Sequence, residues 1–97
     1  MKINYPVILV VEDSSITSLQ TKILFESLNV KNPLKFLSDG ETALKFLRQN
    51  KVGFLLLDIS LPDMNAWELL NQIEVGNMTV VLASNNVNDD VKIKMKE

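Results

Sequence analysis

Several oxygen-bearing side chains in this sequence stand directly after short apolar runs: Glu12 and Asp13 after VILVV, Asp58 after FLLL, Ser84 after TVVLA, and Ser38 and Asp39 after LKFL. The chain contains no Cys and no His, so thiolate sites, disulfides and imidazole catalysis are excluded. Chemistry is left to carboxylates, hydroxyls, amides and lysines. If the runs ending at Glu12-Asp13 and at Asp58 are neighbouring strands, three acids converge. Two carboxylates about 4 Å apart repel by about 4 kcal/mol at an effective dielectric near 20, which rivals the net stability of a small domain. A proton, a paired cation or a bound metal must compensate. An all-oxygen donor set favours a hard ion, and Mg²⁺ is the best candidate because it takes one or two carboxylates and keeps waters that phosphate oxygens can replace.

The elements that must position these groups follow from the hydrophobic period. Residues 7–11 and 54–57 are continuous apolar runs, and MTVVLAS is a third, the pattern of strands covered on both faces. PLKFL reads as a further short strand. Between them the period lengthens to that of helices: Ile16, Leu19, Ile23, Leu24 and Leu28 after a cap at Ser14 or Ser15; Ala43, Leu44 and Leu47 after Ser38 and Glu41 at capping-box spacing; Trp67, Leu70 and Ile73 after Asn65 and Glu68 at the same spacing. Gly76-Asn77 turns the chain into the fourth strand. The final NVNDDVKIKMKE fits a helix through Val87, Val91 and Met95, with Asp89 and Asp90 in the first turn and lysines in the last. It also alternates as a strand would; a helix is expected.

The resulting order, β-α-β-α-β-α-β-α, requires parallel strands with right-handed crossovers and gives an α/β, doubly wound open sheet. Such sheets bind ligands at the C-terminal ends of their strands, which is where Glu12, Asp13, Asp58 and Ser84 fall. Ser38 and Asp39 end the second strand, farther from the crevice. Each residue alone has a plainer reading: Glu12-Asp13 as a helix cap, Asp58 and Ser84 as turn residues, Trp67 as core. Their convergence on one crevice favours the functional reading.

With 97 residues, 46% of them hydrophobic and 23% charged, the chain has room for one globular core and one domain, residues 1–97. A net charge of −2 with scattered Lys and Arg offers no surface for nucleic-acid phosphates. The apolar stretch at residues 7–11 is too short for a signal peptide or a membrane span, so a cytoplasmic location is expected.

ILVVEDS, LLLDISLPDMNAWELL and VVLAS, in this order and spacing, resemble the receiver domain of bacterial two-component response regulators, from about Val7 to about Lys96. The resemblance implies a flavodoxin-like receiver fold with strand order 2-1-3-4. It makes Asp58 the phosphoacceptor for a phosphoryl group from a histidine kinase or phosphotransfer protein. Asp13, Asp58 and the Ser60 backbone carbonyl would hold Mg²⁺, Glu12 would act through water, and Ser84 would be the switch hydroxyl, with Pro62 the family's loop proline. Such a domain is not an enzyme beyond self-catalysed phosphorylation and dephosphorylation. Two departures stand out. Asn65-Ala66 occupies the place of the family's Asp-Gly, where a positive φ would strain Ala66. The family's fifth strand and helix, with the lysine that pairs with the phosphoryl group, are expected to be missing after Glu97, which leaves TVVLAS as a bare sheet edge. Lys92, Lys94 and Lys96, expected on the preceding helix, are no substitutes. A second reading is therefore a non-switching receiver that self-associates through that edge. An aspartate-nucleophile phosphatase is a third, lacking the second acid that reading requires at Ser60. The isolated glycines Gly40, Gly53 and Gly76 exclude dinucleotide and P-loop motifs.

Overall fold

A computed structural model describes residues 5–84 and 92–96. The elements run β1 (Val7–Val11), α1 (Ser15–Ser27), β2 (Leu34–Leu37), α2 (Gly40–Gln49), β3 (Val52–Asp58), α3 (Ala66–Leu70), β4 (Thr79–Ser84) and β5 (Lys92–Lys96). The sheet order is β2-β1-β3-β4-β5. β1 pairs in parallel with β2 and β3, and β3 in parallel with β4, as the alternating pattern predicts.

One face of this sheet carries the closed core. Leu9, Leu55 and Val80 stand in one rung, Val11, Leu57 and Leu82 in the next, and all six are buried against Ala43 and Leu44 of α2 and Ala66, Leu69 and Leu70 of α3. Helix caps set how those helices arrive. Asn65 and Glu68 form the expected capping box at α3, and Ser14 caps α1 by accepting from the Thr17 N–H. At α2 the cap is Asp39, which accepts from Thr42, rather than the Ser38–Glu41 pair. Asp39, one residue later than Ser38, holds the N-cap position, from which its carboxylate reaches the Thr42 N–H directly.

Other expectations are corrected. Ile16, Leu19, Ile23, Leu24 and Leu28 are all more than half exposed, and of these only Leu24 borders the groove between α1 and the sheet. α1 instead rests on it through the half-buried line Thr17, Thr21 and Phe25, at i, i+4, i+8. Trp67 is 47% exposed rather than core, and α3 ends at Leu70, short of Ile73. Ala66 carries no positive φ, opens α3, and donates its N–H to the Ile59 carbonyl at 2.9 Å. Gly76, by contrast, takes φ +57° at the turn into β4, a conformation natural to glycine.

The largest correction concerns residues 92–96, expected in a helix. They form β5, antiparallel to β4, with Ser84 opposite Lys92 and Val80 opposite Lys96. The alternation Lys-Ile-Lys-Met-Lys has the two-residue period of a strand, and the backbone groups of β4 that β3 leaves unpaired provide its partner. β4 is therefore not the bare edge expected for self-association; the outer strands are β2 and β5. The part of the expected helix between residues 85 and 91 lies outside the described residues.

Candidate functional site

Parallel register makes the strand ends level. Val11 of β1 pairs with Leu57 of β3, and Leu57 with Leu82 of β4, so Glu12 and Asp13, Asp58, and Ser84 emerge on the same rim. The ladder continues one step beyond the strands. Glu12 donates its N–H to the Leu37 carbonyl and Ile59 donates to the Ala83 carbonyl, both at 2.9 Å. These bonds fix the backbone on either side of the acids.

The carboxyl groups of Glu12, Asp13 and Asp58 each offer an oxygen within 4.8 Å of the other two. Glu12 and Asp58 are 7% and 6% exposed, while Asp13 reaches solvent. Together with Ser14, Thr17, Ser60 and Ser84 they line a cavity of about 500 Å³. All five residues singled out in the sequence, Glu12, Asp13, Asp58, Ser60 and Ser84, are thus brought to one place. Sequence reasoning missed Thr17, whose signal is its position three residues after the Ser14 cap, on the turn that faces the rim.

Electrostatics set the state of this cluster. Burial pushes the Asp58 carboxyl above its ordinary value. The Ser60 N–H, donating to Asp58 Oδ1 at 3.1 Å, and a side-chain hydrogen bond with Glu12 oppose that rise, while the Asp13 charge adds to it. A hydrogen bond between two carboxyl groups requires one proton between them. Glu12 is also oriented from outside, accepting the Ser14 N–H at Oε2, 3.0 Å away. The three carboxylates, with no sulfur or nitrogen donor among them, fit a small divalent cation that takes hard oxygen ligands.

A residue beyond the cavity is also fixed unusually well. Asp63, in the loop after β3, accepts the N–H groups of Gly40 and Glu41 at 2.8 and 2.9 Å, which holds its carboxyl below the ordinary value. No helix among the described residues is long and apolar enough to cross a membrane.

Comparison with known proteins places this geometry. The family model of the response regulator receiver domain matches residues 8–97. A curated relative, the probable methanogenesis regulatory protein FilR2 of Methanothrix harundinacea (strain 6Ac), is 31% identical over 97 residues, covering 89% of this chain. The chain spans 63% of that relative's length. Among solved structures, the Mn²⁺-bound form of response regulator Rcp1 is 29% identical with a TM-score of 0.75, over 89% of this chain and 70% of the other. The MaeR response regulator bound to beryllium trifluoride is 25% identical with a TM-score of 0.75, over 87% and 72%. The family match spans nearly the whole chain, and the chain belongs to the response regulator receiver domain family.

Proposed function

We propose that the domain accepts a phosphoryl group on Asp58 from the phosphohistidine of a histidine kinase or phosphotransfer protein, with Mg²⁺ held at the acidic rim. The observation that carries this reading is the convergence of three carboxylates within 4.8 Å around a strand end in an open cavity. Mn²⁺ in the Rcp1 structure and beryllium trifluoride in the MaeR structure support it.

In this mechanism, an Asp58 carboxylate oxygen attacks phosphorus in line with the phosphorus–nitrogen bond of the donor. A phosphorus–oxygen bond forms, the imidazole leaves with the bonding pair, and the ring nitrogen takes up a proton from solvent as needed. Asp13, Asp58 and the Ser60 carbonyl would hold the cation, and Glu12 would act on it through water. The bound cation supplies charge neutralisation for the transferring phosphoryl oxygens. The Ser60 N–H holds Asp58 Oδ1, leaving the other carboxylate oxygen for attack. Ser84, on the same rim, is the hydroxyl that meets the acyl phosphate.

Incubation with a small-molecule phosphodonor and Mg²⁺ tests this. Intact-mass analysis is expected to show one added phosphoryl group, labile to base, absent without Mg²⁺ and absent in Asp58→Asn. Unchanged modification of Asp58→Asn would overturn the assignment.

A further inference from the structure

The first turn of a helix leaves four N–H groups without intrahelical partners. At α2 the N–H groups of the first three helical residues are taken by side chains: Thr42 donates to Asp39 Oδ1 at 2.8 Å, while Gly40 and Glu41 donate to Asp63, and the regular helical bonds begin with Ala43 to the Asp39 carbonyl at 3.2 Å. Two of these three caps therefore come from a loop 23 residues farther along the chain. The contact is close elsewhere too. A Cβ on Gly40 would run into the Met64 side chain, so glycine at this position lets Met64 and its loop pack close against the helix.

The other end of that loop carries the site. Ser60 bridges to Asn65, Leu61 donates to the Met64 carbonyl at 3.1 Å, and Ala66 to the Ile59 carbonyl at 2.9 Å. These bonds close residues 59–66 into one unit, with Asp63 at its tip and Ser60 next to Asp58 at its base. A unit closed in this way moves as a body. We propose that Asp63 is a positioning residue for the phosphoacceptor site: by clasping the N-terminus of α2 it fixes the loop, and with it the Ser60 carbonyl and N–H that hold the cation and Asp58.

This inference rests on the reading of the rim as a Mg²⁺ site, and its test separates the two. Mg²⁺ affinity is measured by calorimetry, and stability by urea unfolding, for wild type, Asp63→Ala, Asp63→Asn and Asp39→Ala. Asp39→Ala is the control for a purely structural cap, because it removes an acid and an α2 cap without touching the loop. Both alanine variants are expected to lose stability, but only Asp63→Ala to lose about tenfold in Mg²⁺ affinity, the scale of removing a group that orients a ligand. Asp63→Asn removes the charge and keeps an acceptor, so it is expected to recover part of that affinity. It also carries the comparison if Asp63→Ala does not fold. Wild-type affinity in Asp63→Ala, or an equal loss in Asp39→Ala, overturns the positioning role. A wild-type protein that does not bind Mg²⁺ overturns the metal site itself, and this inference with it.

Discussion

The two faces of the central sheet are lined by similar residues and serve different ends. Leu9, Leu55 and Val80 on one face are sealed by α2 and α3. On the other, among the described residues, Val10, Phe54, Leu56 and Val81 line a groove of about 310 Å³ with α1, which contributes no buried residue. The closed face gives the strands fixed positions, and the acids at their ends inherit that precision. The other face is less completely covered by helix among the described residues. Rigid placement of Asp58 therefore depends on one layer of packing and on the loop that the same layer holds.

Adjacent residues of β3 give the sharpest way to break this comparison. Leu55 is fully buried on the closed face, and Leu55→Ala is expected to cost about 2–5 kcal/mol, read from the urea midpoint. Phe54 lies on the opposite face and is half-buried. Phe54→Ala is expected to cost less than half as much, although it removes more atoms. Equal losses would show that both faces contribute alike.

Next in size is the joint between α2 and the site loop. Gly40→Ala drives a methyl group against Met64 and is expected to cost about 1–3 kcal/mol, the usual range for overpacking. Adding Met64→Ala to Gly40→Ala should recover part of the loss, because the obstructing atoms belong to a flexible side chain. Full additivity of the two substitutions would mean that they do not meet.

The rim should respond to pH in two opposite ways. Asp58 has its folded value raised, chiefly by burial, so its ionised form works against folding above that value and the penalty disappears as the group is protonated. Asp58→Asn is therefore expected to stabilise the cation-free protein at neutral pH by about 0.5–2 kcal/mol, at the low end because Asp13 lies in solvent. The advantage should vanish as pH falls toward the ordinary aspartate value. Asp63 has its folded value lowered, chiefly by the Gly40 N–H. Its contribution is present above the ordinary value and is lost as pH falls through the folded one. Thermal midpoints of wild type, Asp58→Asn and Asp63→Asn across acid pH check both signs.

How much of this was legible in the sequence depends on whether a signal is local. The apolar runs of β1 and β3 stop at acids and that of β4 at Ser84, so the strands and the residues at their ends could both be read. The Asn65–Glu68 capping box was also visible, since its partners are three residues apart. Asp63 was not, because its partners, Gly40 and Glu41, lie far away in the chain and contribute only backbone N–H groups, which leave no mark in sequence. The tail was misread for a different reason. Val87, Val91 and Met95 support a helix, whereas Lys92 to Lys96 alternate as a strand, and what decides is the neighbouring edge of β4. Pairing partners lie outside any local window.

α1 gives the smallest effect and a clear test of what periodicity means. Its spacing identified a helix but not which side meets the sheet: Ile16 is 69% and Leu19 57% exposed, while Thr17, Thr21 and Phe25 make the contact. Ile16→Ser and Leu19→Ser are each expected to change stability by no more than about 0.5 kcal/mol, the range of exposed substitutions. Phe25→Ser should cost more than either. Because serine is a poorer helix former than leucine or lysine and about equal to isoleucine, Lys22→Ser, at an exposed polar position on the same helix, sets the upper bound for the backbone effect. If Ile16→Ser loses clearly more than Lys22→Ser, apolar surface at that position is being covered in solution, and the open face of the sheet is not open.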